Sequence, residues 1–288
     1  MPKKPKLKEL SFLVYGLGIS GKSVIRYFKK NGIKKFEIWD DDKKNLINEH
    51  RSKNLKRTLS KVDYIVLSPG ISLIKNNNLM KFKKKIITDI DLFYLSGNKS
   101  NSIVVTGTNG KSTTCKLILH LLKKNSFRCS LGGNIGNPIL DIKSKNDDFI
   151  IIEASSFQLS HSKFVNPKFG FFLNFTNDHL DWHGNMNNYL NSKFKIFKLQ
   201  SKNSFAIINK NLKKKFKKKN FLSKAIIPKN IDYQKIKPKI KNDYLSLTIN
   251  DENMNFLYTF SRLIKIKDQS FINSMKSFRG LPHRFEIF

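Results

Sequence analysis

Gly107-Thr108-Asn109-Gly110-Lys111-Ser112-Thr113 carries the Gly-Lys-Ser ending of a phosphate-binding loop. In such a loop backbone N–H groups and the lysine cradle phosphates, while the Ser112 or Thr113 hydroxyl ligates magnesium. The strict pattern wants glycine at position 105, and this chain has Val105. The loop is therefore a shortened variant, which general nucleotide triphosphatases do not usually carry. An apolar run, Ile103–Thr106, precedes it and an apolar helical pattern follows through Leu122. That strand–loop–helix context is what phosphate binding requires.

Other residues able to do chemistry sit at the ends of apolar runs. Phe149–Ile152 reads as a strand of the same parallel sheet, which brings Glu153 to the edge where the loop lies. A carboxylate beside a triphosphate repels it unless a divalent cation stands between them. Glu153 is thus a magnesium ligand or a positioner of its waters, with a solvent-facing acid at a strand end as the alternative. A further strand, Phe169–Phe175, runs into Thr176–His183, where Asp178, His179, Asp181 and His183 can ligate or move protons. The spacing of His179 and His183 suits zinc on a helix, but Gly184 and the lack of a third soft ligand argue against it.

The helix Met186–Leu199 has an apolar stripe at Leu190, Phe194 and Phe197; Lys193 falls inside it and Lys195 points away. A buried ammonium near magnesium is penalised by desolvation and by like charge. Lys193 can escape by snorkelling to the surface. Alternatively its neutral amine takes up carbon dioxide and becomes a carbamate, an anionic metal ligand. Both routes are open at this point.

The elements upstream form a similar unit. Gly16-x-Gly18-x-x-Gly21 lies between the strand Phe12–Tyr15 and a helix running through Ser23–Phe28, with Asp40, Asp41 and Asp42 some twenty residues on. That is the setting of a turn that binds the diphosphate of a nicotinamide, flavin or sugar nucleotide. Phe36–Trp39, Tyr64–Leu67 (ending in Ser68-Pro69-Gly70) and Ile86–Ile87 complete the strands. Strands alternating with helices imply α/β domains with parallel sheets and ligands at strand carboxyl ends. Ser96–Ser102 is small and polar, a plausible linker. It divides the chain into a Rossmann-like domain (1–96) and a central phosphate-loop domain (97–278).

Composition narrows the partners. The 288 residues are 39% hydrophobic, enough for two cores, and no apolar run reaches the ~20 residues a membrane span needs. MPKKPKLKEL has no apolar signal core, and Cys115 and Cys129 are too few for a disulfide scaffold. The net charge is +34, yet only seven of the 55 basic residues are arginine. A nucleic-acid surface recruits more arginine, so this is a solvated lysine-rich surface, densest at Lys213–Lys219, and no nucleic-acid partner is expected. Small polyanions would still be drawn in by the field.

Together these segments resemble the Mur ligase family, from Gly16 to Phe288. The resemblance rests on Gly16-Leu17-Gly18-Ile19-Ser20-Gly21, Ser68-Pro69-Gly70-Ile71, the 107–113 loop and Gly132-Gly133-Asn134-Ile135-Gly136. It continues through Glu153-Ala154-Ser155-Ser156-Phe157-Gln158-Leu159, Asn177-Asp178-His179-Leu180-Asp181, Ser192-Lys193-Phe194 and Gly280-Leu281-Pro282-His283-Arg284-Phe285-Glu286. The Ser-Ser-Phe-Gln-Leu and Leu-Pro-His-Arg segments are similar to those of the D-glutamate-adding members. Folylpolyglutamate synthase shares the short loop but would lack the N-terminal sugar-nucleotide domain.

The resemblance implies an ATP-dependent amide ligase of peptidoglycan precursor synthesis, serving cell-wall biogenesis, cell shape and division. It would be a cytoplasmic monomer acting on UDP-N-acetylmuramoyl-L-alanine and D-glutamate, with ATP and Mg2+. Gly18, Ile19, Ser20, Asp40, Ser68, Gly70 and Asn134 would hold the UDP-substrate. Gly107, Thr108, Asn109, Gly110, Lys111, Ser112 and Thr113 would hold ATP, together with Asn209 after the strand Phe205–Ile208 and Arg284. Ser112, Glu153, His179 and a carbamylated Lys193 would hold metal, and Lys111, His179 and Lys193 would serve catalysis. Family members carry a third domain after Leu-Pro-His-Arg, so 279–288 would be its start. These 288 residues alone would then bind substrates yet form little amide. The alternatives are another Mur-type amide ligase, a basic nucleotide- or nucleic-acid-binding protein without ligase activity, or a redox enzyme using the first glycine turn.

Overall fold

The computed structural model describes residues 6–42, 50–73, 76–97, 101–143, 145 and 148–280. Its strands there are β1 (Phe12–Tyr15), β2 (Phe36–Trp39), β3 (Tyr64–Leu67), β4 (Ile86–Ile87), β5 (Asn101–Thr106), β6 (Cys129–Gly133), β7 (Phe149–Glu153), β8 (Phe169–Phe172), β9 (Phe205–Ile208) and β10 (Lys224–Ile226). They build two sheets, in the orders β2-β1-β3-β4 and β10-β9-β8-β5-β7-β6. Every pairing is parallel, as the α/β reading requires. β1 lies between β2 and β3, and β5 between β7 and β8, so the strand order reverses at each. Crevices for ligands open at the carboxyl ends of strands where the order reverses. Both glycine loops follow such a strand.

The strands read as continuous apolar runs because both faces of each sheet are covered. Ile103 and Val105 pack with Leu117, Ile118 and Leu121 of the Lys111–Lys124 helix, while Val104 faces the opposite core with Ile150, Ile152 and Phe172. Three strand boundaries differ from the sequence reading. β8 stops at Phe172, because Asn174 turns away to serve the phosphate loop. β5 begins at Asn101, so part of the expected linker is strand. β7 takes in Glu153 itself.

The two sheets are joined by buried polar contacts. Thr88 caps the helix Asp89–Leu95 with Asp91 in a reciprocal capping box. Asp91, fully buried, then accepts from Lys163 N at 2.9 Å and Phe164 N at 2.7 Å. Ile90 and Phe93 of the same helix pack into the core of the second sheet. The first-sheet helix thereby anchors the second sheet.

Candidate active site

Gly110 adopts φ +78°, and a side chain there would place Cβ 2.4 Å from Asn253 Oδ1. Only glycine closes this turn without strain. The Lys111–Lys124 helix starts behind it, so its N–H groups and positive dipole end face the loop. Lys111 Nζ donates to the Gly107 carbonyl at 3.0 Å and the Thr108 carbonyl at 2.7 Å. Thr108 Oγ1 accepts from Thr176 N at 3.1 Å, and Asn109 N donates to Asn174 Oδ1 at 2.9 Å. Ser112 is half-buried at the helix start, next to buried Thr113.

Glu153 stands opposite Val105 in β5 and Gly133 in β6. It is 1% exposed, which excludes the solvent-facing reading. Oε1 accepts from Asn134 Nδ2 at 3.0 Å, whereas Oε2 is buried without a partner. A buried, half-satisfied carboxylate is costly, and a divalent cation is the partner that suits such an oxygen. Among the described residues no group of three or more His, Cys, Asp or Glu side chains could hold a metal. Magnesium does not need one, since it keeps several waters and takes one or two carboxylates alongside phosphate oxygens.

Lys193 is also 1% exposed, so it does not snorkel. Its Nζ donates to the Gly107 carbonyl at 2.7 Å and sits 4.6 Å from the centroid of the Tyr189 ring. Burial, followed by the Lys111 charge, lowers its pKa to about 6, against an opposing pull from Asp178. At neutral pH the amine is largely unprotonated, the form that reacts with carbon dioxide. His179 is exposed, at φ 52°, with its ring 6.0 Å from that of Tyr189. Tyr189 is thus a neighbour of both His179 and Lys193. His183 differs: it is buried, and its Nε2 lies 3.0 Å from Ser156 Oγ. Burial, then the Lys193 and His179 charges, lowers its pKa to about 4. Phe157 and Tyr189 touch both histidine rings, one exposed and the other buried.

A cavity of about 950 Å³ opens beside the loop, between Gly110, Thr113 and Asn174 on one side and Tyr244, Ile249 and Glu252 on the other. Glu252 organises its rim, accepting from Asn174 Nδ2 at 3.1 Å and Asn209 Nδ2 at 2.5 Å. Asn209 is thus brought to the phosphate-loop side of the sheet. Arg284 lies outside the described residues. Sequence reasoning missed Asn174, Tyr189, Glu252 and Asn253. The last two sit on the Asp251–Leu263 helix, which packs on the Lys111–Lys124 helix. No local pattern marks them.

The first glycine turn is equally constrained. A Cβ at Gly21 would lie 1.9 Å from the Gly16 carbonyl oxygen. Ser68 Oγ donates to that same oxygen at 2.8 Å, so Ser68 fixes the turn. Asp40 accepts from Leu17 N at 2.6 Å and Asp42 N at 2.8 Å, tying the end of β2 to it. Gly18 caps the Ile19–Lys30 helix, Ile19 is 78% exposed, and Gly70 is exposed nearby. Burial raises the Asp89 pKa, and hydrogen bonds with Ser20 and Gln158 offset part of the rise. The start of the first-sheet helix therefore meets the second sheet's Ser156–His161 helix.

A parallel-sheet domain with a diphosphate-type turn, joined to one with a shortened phosphate loop, is an architecture of nucleotide-dependent enzymes. Residues 10–90 match the family model described as Mur ligase MurD-like, N-terminal domain, and residues 105–269 match Mur ligase middle domain. The chain belongs to the Mur ligase family. It is 34% identical to the UDP-N-acetylmuramoylalanine–D-glutamate ligase of Aquifex aeolicus, covering 96% of this chain and 67% of that protein. The enzyme of the same name from Rickettsia bellii is 36% identical over 97% of this chain and 68% of its own length. The chain thus spans about two thirds of these relatives. Solved structures share the fold at low identity. The UDP-N-acetylmuramate:L-alanyl-gamma-D-glutamyl-meso-diaminopimelate ligase from Neisseria meningitides has a TM-score of 0.55 and 13% identity, covering 94% of this chain and 99% of that one. The UDP-N-acetylmuramate-alanine ligase of Thermotoga maritima gives 0.52 and 15%, covering 96% and 70%. Among the described residues no helix is long and apolar enough to cross a membrane.

Proposed function

We propose that the chain carries the substrate- and ATP-binding machinery of a cytoplasmic ligase that joins D-glutamate to UDP-N-acetylmuramoyl-L-alanine. The observation that carries the reading is the partnerless Glu153 Oε2 on the strand beside the phosphate loop. The names of the relatives in Aquifex and Rickettsia support the choice of substrates. The first glycine turn, with Ser68, Asp40 and Gly70, holds the UDP end; Asn134 holds the far end near Glu153. The loop residues Gly107–Thr113 bind the ATP phosphates, and Asn209 and Arg284 serve its nucleoside end.

Ser112 and Glu153 would hold a first magnesium beside the ATP phosphates, and His179 and a carbamylated Lys193 would hold a second; the metal would supply charge neutralisation there. The alanine carboxylate attacks the γ-phosphorus, ADP leaves, and a mixed acyl phosphate results. Lys111 balances the developing charge. The D-glutamate amine then attacks the acyl carbon, phosphate departs and the amide remains. No side-chain nucleophile is needed.

Hydroxylamine trapping tests the first half of this reaction without D-glutamate. Protein, ATP, magnesium and UDP-N-acetylmuramoyl-L-alanine should give a hydroxamate and ADP. UDP-N-acetylmuramate, lacking the alanine, should give neither. Trapping with UDP-N-acetylmuramate alone would point instead to an alanine-adding relative, and no trapping with either would sink the reading.

A further inference from the structure

A second cavity, of about 310 Å³, lies on the seam between the two sheets. Leu73, Met80 and Lys83 wall it from the first, and His161, Trp182 and Lys195 from the second. His183 also lines it, and no carboxylate does so among the described residues. His161 is 8% exposed and its Nε2 is buried with no partner. A buried ring nitrogen without a partner is costly, which points to a group that completes it. Lys195 Nζ donates to the Ser160 carbonyl, which leaves further N–H donors on the same ammonium. The Trp182 ring, 5.4 Å from that of His161, supplies a flat aromatic wall.

We propose that this seam cavity binds a small organic oxyanion carried on a planar or apolar body. Lys83, Lys195 and the His161 N–H would hold the oxyanion, and Trp182, Met80 and Leu73 would hold the body. The volume is at the lower end of ligand pockets, roughly 300–1,000 Å³, so the occupant is compact. Burial, then the Lys195 and Lys83 charges, lowers the His161 pKa to about 3, so the ring is neutral; burial lowers that of Lys195 to about 8, against the pull of the Asp91 charge. Because the walls come from both sheets, an occupant fixes their relative placement. It is also felt at the candidate active site, because Phe157 lies 4.8 Å from both Trp182 and His179, centroid to centroid. Binding stands apart from the ligase reading; only this last coupling rests on it.

The test is titration of phenyl phosphate, with benzoate and inorganic phosphate in parallel, into protein carrying isotope-labelled histidine. ADP and magnesium are kept in excess so that the phosphate loop is filled, and His161→Gln assigns the ring signals. Saturable movement of the His161 signals at millimolar phenyl phosphate or benzoate is expected, with inorganic phosphate weaker. Which of the two organic anions binds tighter separates a phosphate ligand from a carboxylate one. Lys83→Gln, at an exposed position, should weaken binding about fivefold, the loss of one charge-assisted contact. Unmoved His161 signals, an equal shift from sodium chloride at matched ionic strength, or unchanged affinity in Lys83→Gln would each overturn the site.

Discussion

Lys193 Nζ donates to the carbonyl of Gly107, the first residue of the phosphate loop, at 2.7 Å. The helix carrying Lys193 is thereby clamped to the loop by an amine that burial holds at a pKa of about 6. In the unfolded chain this lysine keeps its proton up to its ordinary value of 10.5. Between those pH values the unfolded state binds more protons, so stability should rise with pH, by at most about 1.4 kcal/mol per unit from this group. Lys193→Met removes the effect. Denaturant unfolding in buffer free of carbon dioxide should give a shallower rise for the variant over about pH 6.5 to 9.5. Parallel curves would show that Lys193 stays protonated when buried.

The same residue makes a catalytic prediction. Lys193→Ala should abolish acyl-phosphate trapping, and acetate or propionate should partly restore it by supplying the missing anion. Near-normal trapping in Lys193→Ala would remove Lys193 from the metal site.

Glu153→Gln should act with opposite sign in two conditions. Without magnesium and nucleotide it neutralises a buried carboxylate whose Oε2 has no partner, so the fold should gain about 1–3 kcal/mol. The contact from Asn134 Nδ2 survives on the amide oxygen. With magnesium and ATP the variant should lose most of the thermal stabilisation that wild type gains. A variant that is destabilised alone yet stabilised normally by magnesium and ATP would contradict the metal assignment.

Two glycine variants separate the two loops. Gly110→Ala, at φ +78° and in collision with Asn253, should cost about 1–3 kcal/mol and weaken ATP binding while sparing the UDP-substrate. Gly21→Ala, whose Cβ would meet the Gly16 carbonyl at 1.9 Å, should do the reverse. Calorimetric titration of each variant with both ligands checks this. Loss of both ligands in both variants would mean that the loops do not act as separate sites.

Much of this arrangement was legible because its signals are local. The Gly16–Gly21 turn and the 107–113 loop announce themselves by glycines set between an apolar strand and a helix. The position of Glu153 followed from its place at the end of a run that had to join the same sheet. β6 and β10 were not legible: β6 closes on Gly132-Gly133, and β10 is a short, largely exposed edge strand. Nor could periodicity alone decide between a snorkelling and a buried Lys193, since that depends on Tyr189 and Gly107 closing around the amine. Glu252 reaches Asn174 and Asn209 from a distant helix, and only tertiary packing brings the three together.

The central claim is that one chain holds a UDP-sugar site on its first sheet and a magnesium–ATP site on its second. Isothermal titration of the 288-residue chain with UDP-N-acetylmuramoyl-L-alanine, and separately with a non-hydrolysable ATP analogue and magnesium, tests it most directly. The account predicts that each ligand binds once per chain and that neither displaces the other. Failure of both to bind at millimolar concentration, or mutual displacement from a single site, would contradict it.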